Sequence, residues 1–204
     1  MPFSLPATER EVNSQLDRLA SILADMPATA LSRYALAEIV LIRAASVFED
    51  ALAKLAYKLS CGAEFPDGTT DKIIVQSRSL IGARMAMRSE GGTRTVLKDY
   101  LKWTKSSHIA GSVNGVLDPQ GHYVKTCQQF GSPIAEIFEV RNHAAHKNAG
   151  SRKNYLKWVK AQYGQERNIQ LGYFLLTQNF SPMPNISRYI SSIRIMVGNI
   201  VSGP

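Results

Sequence analysis

An arginine, an asparagine and two histidines lie within six positions of a predicted helix, in the stretch IFEVRNHAAHKNAG. Arg141 stands among apolar residues on one face of this helix. A guanidinium in that setting needs a carboxylate partner, an anionic ligand or a path to solvent. His146 follows five positions later, about 140° round a helix and roughly 7.5 Å along its axis, so the two side chains flank a notch.

These residue types are the ones needed to cleave RNA without a metal ion. An imidazole takes or gives a proton near neutral pH, which suits His146 to the 2′-hydroxyl or to the leaving 5′-oxygen. The planar fork of the Arg141 guanidinium suits the charge that builds on the phosphate oxygens. Asn142 can orient the phosphate or the imidazole. His143 is either a third functional group or a surface histidine.

Plainer interpretations of the same residues stay open. Arg141 can form a structural ion pair with Glu49, and His146 can be a side chain that caps the end of its helix. His143 and His146 have the i, i+3 spacing of metal ligands, but no third ligand has a usual spacing, so we expect no metal site. No nucleotide-binding motif is present, so we expect no cofactor.

The charge of the chain is strongly uneven. Residues 1–64 carry six Lys/Arg against eight Asp/Glu, whereas residues 65–204 carry eighteen against eight. A basic surface of this kind favours an anionic partner, most often nucleic acid. The residues expected to contact RNA follow the motif directly; they are Lys147, Arg152, Lys153, Lys157 and Lys160. Trp103, Tyr155 and Trp158 can stack on unpaired bases or pack in the core, and core packing is the commoner fate of such aromatic residues.

Helical periodicity extends over nearly the whole chain. It predicts helices over residues 7–26, 29–60, 69–88, 94–103, 122–130, 133–149, 151–164 and 184–201. Pro27 is expected to end the first helix, and Gly150 the helix that carries the motif. Residues 106–121 are rich in Ser, Gly, Asn and Pro, which predicts a mobile loop. Residues 168–180 fit a strand, a hairpin arm or a buried segment equally well.

The sequence RNHAAH, residues 141–146, resembles the Arg-Asn-x-x-x-His form of the motif found in the HEPN superfamily. The upstream stretch SVFEDALAKLA, residues 46–56, is similar to the acidic position on an early HEPN helix. The nearest variety is the RiboL-PSP type, which is found with toxin–antitoxin and phage-defence systems. The resemblance implies an all-α, antiparallel helical bundle that dimerises, in which the motif helices of two subunits build one composite site.

Carried over by position, the resemblance makes Arg141 and His146 the catalytic pair and Asn142 the polar residue beside them. Glu49 matches the early acid, with Asp50 as the less favoured choice. HEPN toxins that are silenced by AMP transfer carry a tyrosine two residues after the motif histidine. Asn148 occupies that position here, so we do not expect this control.

Together these observations predict a metal-independent endoribonuclease of HEPN type, a toxin or phage-defence effector that cleaves RNA. The alternative is a non-catalytic RNA-binding or interaction protein of the same fold in a defence complex. We expect one domain over residues 1–204, with a core over about 10–165 and a C-terminal extension over 166–204. A homodimer is expected, with an antitoxin or another defence protein as a further partner and no membrane.

The expected location is the cytoplasm. The first residues lack the basic and apolar pattern of a secretory signal. Cys61 and Cys127 lie in unrelated contexts and do not form a disulfide framework, so a reducing compartment suits them. Both are expected to be small buried hydrophobic residues.

Overall fold

The computed structural model describes residues 3–25, 29–178 and 181–204. Over these residues it contains helices and no strand, which confirms the predicted all-α class. The helices are α1 (Leu5–Ala24), α2 (Ala30–Ser60), α3 (Leu80–Arg88), α4 (Ser106–Val113), α5 (His122–Gln129), α6 (Gly131–His146), α7 (Ala149–Tyr163), α8 (Leu171–Leu176) and α9 (Asn185–Ser202). The predicted end of the first helix at Pro27 lies outside the described residues.

The chain separates into two compact units, and several helices run from one unit into the other. The first unit consists of three stretches: the residues up to Val12, Glu49–Ala135 and Arg194–Pro204. The second unit consists of Asn13–Phe48 and Glu136–Ile193. The predicted division into a core and a C-terminal extension stays a prediction, as does the HEPN-like arrangement of the helices.

Hydrogen bonds between distant residues hold the first unit together. The carboxylate of Asp71 accepts from the backbone N–H of His122 at 2.7 Å and of Tyr123 at 3.0 Å, so it caps the start of α5. The buried hydroxyl of Tyr123 donates to the carbonyl of Leu52 at 2.9 Å. Cys127 packs in this core as expected, where burial raises the pKa of its thiol to about 12.

The second unit packs α2, α6, α7, α8 and α9 around aromatic side chains. The rings of Phe48 and Phe138 stack with centroids 6.0 Å apart. Gly172, near the start of α8, lies so close to Tyr34 that any side chain there would collide with it. Within the ambiguous residues 168–180, Leu171–Leu176 form this helix and four of its six residues are buried, while residues 179 and 180 lie outside the described part.

The helix that carries the motif ends earlier than predicted. We expected a helix over 133–149 with Gly150 as its cap, but α6 ends at His146. Lys147 takes a left-handed backbone conformation with φ of 48°, and the side chain of Asn148 accepts from the N–H of Ser151 at 2.8 Å to cap α7. Gly150 therefore lies inside α7, because the Asn148 cap starts the next helix before the glycine is reached.

The sequence was also misleading over residues 69–121. The predicted helix over 69–88 is confirmed only from Leu80, because Ser79 is its N-cap and the preceding backbone bonds to the carbonyl of Val116. The predicted helix over 94–103 is absent, because the backbone of Lys102 bonds to Ser112 instead. The N–H of Lys102 donates to the hydroxyl of Ser112, and that hydroxyl donates to the carbonyl of Lys102, at 2.8 Å each. That hydroxyl belongs to α4, a helix that forms in half of the expected loop.

Candidate functional site

Helix α6 positions all four polar residues of the motif on its last two turns. Its buried residues include Ile134, Ile137, Phe138, Val140 and Ala144. Arg141 is half-buried beside this apolar face, as the sequence predicted. Ala145 is exposed, because the helix ends one residue later and its last turn leaves the core.

One nitrogen of the Arg141 guanidinium bonds to a neighbouring residue of the same helix. Its Nη1 donates to the side-chain oxygen of Asn142 at 3.1 Å. Its Nε is buried and has no hydrogen-bond partner among the described residues. A buried donor left without an acceptor costs about 1–3 kcal/mol, so an acceptor at this N–H would stabilise the arginine.

His143 is packed against the following helix rather than free at the surface. Its ring stacks on that of Tyr155 with centroids 4.9 Å apart and an interplanar angle of 13°. Its Nδ1 lies 3.4 Å from the hydroxyl of Ser151. Burial lowers the pKa of His143, with Arg152 and Lys147 acting in the same direction and Glu38 opposing them. The neutral ring is therefore favoured in the folded protein.

A pH dependence of stability follows from His143. Its pKa in the unfolded chain is about 6.5, and the folded-state pKa lies below that value, so the unfolded chain takes up the proton first. We expect the free energy of unfolding to be retained above about pH 6.5 and to fall as the pH drops towards the folded-state pKa. His143→Phe keeps a stacking ring without the titration, so urea unfolding at several pH values should give a flatter profile. Equal slopes for the two proteins would contradict this role.

His146 is the last residue of α6, and its side chain is exposed. The next residue, Lys147, pairs with Glu38 of α2 at 2.9 Å. This pair connects the short turn between α6 and α7 to α2. An exposed imidazole at the end of α6 is accessible to a substrate from solvent.

All five residues expected to bind RNA line one groove along α7. The groove has a volume of about 890 Å³. Its charged lining consists of Lys147, Arg152, Lys153, Lys157, Lys160, Glu166 and Arg167. Arg167 was not among the predicted residues, because it follows the end of α7 and shares no helical stripe with the lysines. Six cations against one carboxylate make this groove strongly basic.

Contacts within the groove leave part of its charge available. Lys160 pairs with Glu166 at 3.1 Å, and Arg152 donates to the side chain of Asn168 at 2.7 Å. Lys153 is exposed, and Lys157 lies 5.1 Å from the ring centre of Trp158. A cation above an aromatic face keeps its charge, so Lys153 and Lys157 are the residues best placed to meet phosphates.

Only one of the three aromatic residues named as base-stacking candidates stays partly accessible. Tyr155 and Trp103 are buried, which is the core-packing alternative. Trp158 is half-buried, and its indole N–H donates to Glu139 at 2.7 Å, which fixes the ring beside the lysines of α7.

Glu49 and Asp50 belong to the first unit, whereas the motif residues belong to the second. Glu49 is half-buried, and Asp50 is exposed. Both line a groove of about 350 Å³ that also contains Arg84 and Arg88. The roles of Glu49 and Asp50 in catalysis stay predictions.

A buried carboxylate on α6 was missed by the sequence analysis. Glu136 accepts hydrogen bonds from Arg188 at 2.6 Å, from the hydroxyl of Tyr189 at 2.8 Å and from Gln162 at 2.9 Å. Burial raises the pKa of Tyr189 well above its usual value, and Glu136 acts in the same direction. The sequence signal was Glu136 itself, a carboxylate within the mainly apolar run PIAEIFEV, five positions before Arg141.

Comparisons of the chain with protein-family models, curated proteins and solved structures find no match. Among residues 3–25, 29–178 and 181–204, no group of three or more His, Cys, Asp or Glu side chains could hold a metal ion. None of the helices in this part of the chain is long and apolar enough to cross a membrane.

Proposed function

We propose that this protein is a metal-independent endoribonuclease of HEPN type. One observation supports the proposal above the others. The Arg-Asn-x-x-x-His residues end α6, and the chain continues within two residues into the basic groove of α7. Groups suited to the chemistry and groups suited to an RNA backbone are thus parts of one continuous stretch of the second unit.

The proposed reaction is a transesterification within the RNA strand. The 2′-hydroxyl loses its proton and attacks the adjacent phosphorus, and the bond from phosphorus to the 5′-oxygen breaks. His146 moves one of the two protons, and the Arg141 guanidinium stabilises the charge on the non-bridging oxygens. The products are a 2′,3′-cyclic phosphate and a 5′-hydroxyl, so the step consumes no water.

Homodimerisation belongs to the same proposal, because a single subunit supplies one Arg141 and one His146. A second motif helix opposite the first would provide a base and an acid on opposite sides of the scissile bond. The biological role proposed for this activity is that of a toxin or phage-defence effector, with an antitoxin or another defence protein as partner.

The test is cleavage of a fluorescently labelled RNA by the purified protein in EDTA. We expect shortened RNA that ends in a 2′,3′-cyclic phosphate, and no cleavage of the same strand made with 2′-deoxyribose throughout. Cleavage of the deoxy strand would contradict a mechanism that needs the 2′-hydroxyl. Binding of RNA without any cleavage would instead support the non-catalytic RNA-binding protein.

RNA binding itself should follow the charge of the groove. The affinity of a single strand falls with salt by a slope of about 0.7 for each phosphate contact. We expect Lys153→Gln/Lys157→Gln to weaken binding and to reduce that slope by about 1.4, measured by fluorescence anisotropy at several salt concentrations. Lys125→Gln, an exposed lysine on α5 in the first unit, is the matched control. An equal effect of the control would exclude the groove as the binding site.

A further inference from the structure

Exposed apolar side chains are concentrated in one part of the first unit. Among the described residues, twelve large hydrophobic side chains are exposed, and six of them lie between residues 74 and 100. They are Ile74, Leu80, Ile81, Met85, Val96 and Tyr100. Residues 72–102 also carry seven Lys/Arg against two Asp/Glu. A segment that exposes apolar and basic side chains together is a candidate for an interaction surface.

Helix α3 arranges these residues in two parallel rows. Ala83 and Met87 are buried against the unit. Ile81 and Met85, four positions apart, point outward and are 79% and 42% exposed. The second row, Arg84 and Arg88, runs beside the first because it has the same four-residue spacing.

The helix is held firmly enough to act as a preformed surface. Arg88 donates through Nε to the carbonyl of Lys98 at 2.6 Å, and the N–H of Lys98 returns a bond to the carbonyl of Arg88 at 3.0 Å. At the other end the hydroxyl of Ser79 accepts from the N–H of Gly82 at 3.1 Å. Both ends of α3 are therefore fixed before any partner arrives, which lowers the entropy lost on binding.

We propose that the α3 surface, formed by Leu80, Ile81, Arg84, Met85 and Arg88, docks an acidic amphipathic helix of a partner protein. The apolar row of α3 would meet the apolar stripe of that helix, and the two arginines would meet carboxylates along one side of the stripe. None of the five residues of the α3 surface is assigned a role in the ribonuclease proposal, so the two proposals can fail separately.

The chemistry of the surface favours a protein over the other anionic partners. The outward row of the α3 surface, Ile81 and Met85, has no aromatic ring on which bases could stack, which disfavours RNA on this helix. The arginine row also lines the concave groove of about 350 Å³ whose other wall, on α2, carries Glu49 and Asp50. A flat bilayer cannot follow that concavity. Protruding side chains of a helix can enter it.

The test uses labelled helical peptides of about 18 residues with one shared apolar stripe, flanked either by Glu or by Lys. Binding to the full-length protein is measured by fluorescence anisotropy. We expect the Glu peptide to bind, the Lys peptide to bind at least about tenfold more weakly, and both Ile81→Asp and Arg84→Glu to weaken the Glu peptide by about tenfold or more. Ile195→Asp, a 56% exposed isoleucine on α9 in the same unit, should leave binding unchanged.

Several outcomes would overturn the proposal. They are equal binding of the two peptides, an equal loss with Ile195→Asp, or no binding of the Glu peptide. Sedimentation of the wild type and of Ile81→Asp, alone and with vesicles rich in phosphatidylserine, tests whether a second copy of the chain or a membrane occupies the surface. If the Glu peptide does not bind, a dimer that is lost in Ile81→Asp would assign the surface to a second copy. Vesicle binding that is lost in Ile81→Asp would assign it to a membrane. RNA cleavage should be unchanged in Ile81→Asp, so failure here is distinct from failure of the ribonuclease proposal.

Discussion

Arg141→Ala and His146→Ala should each lower the rate of RNA cleavage by about 10²–10³-fold while RNA still binds to the α7 groove. In the proposed mechanism, Arg141→Ala removes the guanidinium that stabilises the developing charge on the phosphate, and His146→Ala removes the group that carries a proton. Neither change touches Lys153 or Lys157, so affinity for RNA should stay within about threefold of the wild type. The measurement is single-turnover cleavage in EDTA, with binding followed by anisotropy.

Matched variants separate chemistry from folding. Arg141→Lys keeps the positive charge but loses the planar fork of donors, so it should recover only part of the lost rate. His143→Gln changes the neighbouring histidine on the same helix and should reduce cleavage far less than His146→Ala, because the His143 ring is stacked on Tyr155. Urea unfolding of each variant checks the fold. Full activity of either alanine variant would remove the proposed mechanism.

Glu136→Leu should cause the largest loss of stability of any single substitution proposed for this protein. The carboxylate is the shared acceptor for Arg188, Tyr189 and Gln162, and its side chain is 11% exposed. Leucine would leave a partly buried guanidinium without its counter-charge and a buried hydroxyl without an acceptor. Breaking a buried pair in this way costs about 3–5 kcal/mol. Because the Arg188 side chain is 31% exposed and water can reach it, we expect the lower end of that range.

The control is an ion pair at the surface of the same unit. Glu166→Gln breaks the exposed contact with Lys160 and should change the free energy of unfolding by about 0–1 kcal/mol. Glu136→Leu/Arg188→Met removes both buried charges together and should recover part of the lost stability. Urea denaturation gives all these values. A Glu136→Leu variant as stable as Glu166→Gln would show that water already satisfies the cluster.

The Glu136 cluster also bears on the candidate site. Glu136 and Arg141 share α6, and the partners of Glu136 come from α7 through Gln162 and from α9 through Arg188 and Tyr189. The cluster therefore fixes the motif helix against the helix that carries the basic groove. A loss of cleavage in Glu136→Leu is accordingly expected from loosened positioning, and it should be accompanied by the loss of stability.

Much of the helical architecture could be predicted because its causes are local. The long helix over α2 follows from Phe48, Leu52, Leu55 and Leu59, whose spacing of three and four residues makes one stripe, and all four are buried. The helices α5, α7 and α9 lie within a few residues of their predicted bounds for the same reason. The sequence also indicated that Lys147, Arg152, Lys153, Lys157 and Lys160 belong together, since they share one turn and one helix.

The tertiary structure alone decided the features that depend on distant partners. Residues 94–103 have helical periodicity but lose the helix, because Ser112 offers the backbone of Lys102 two bonds that a helix would forfeit. The stacking of the His143 ring on Tyr155, twelve positions later on another helix, could not be read from the sequence. Glu136 became buried only because Arg188 and Tyr189, some fifty positions later, supply its hydrogen bonds. Local propensity is worth fractions of a kcal/mol per residue, whereas a buried hydrogen bond or charge left unpaired costs several times more, so the distant contacts prevail.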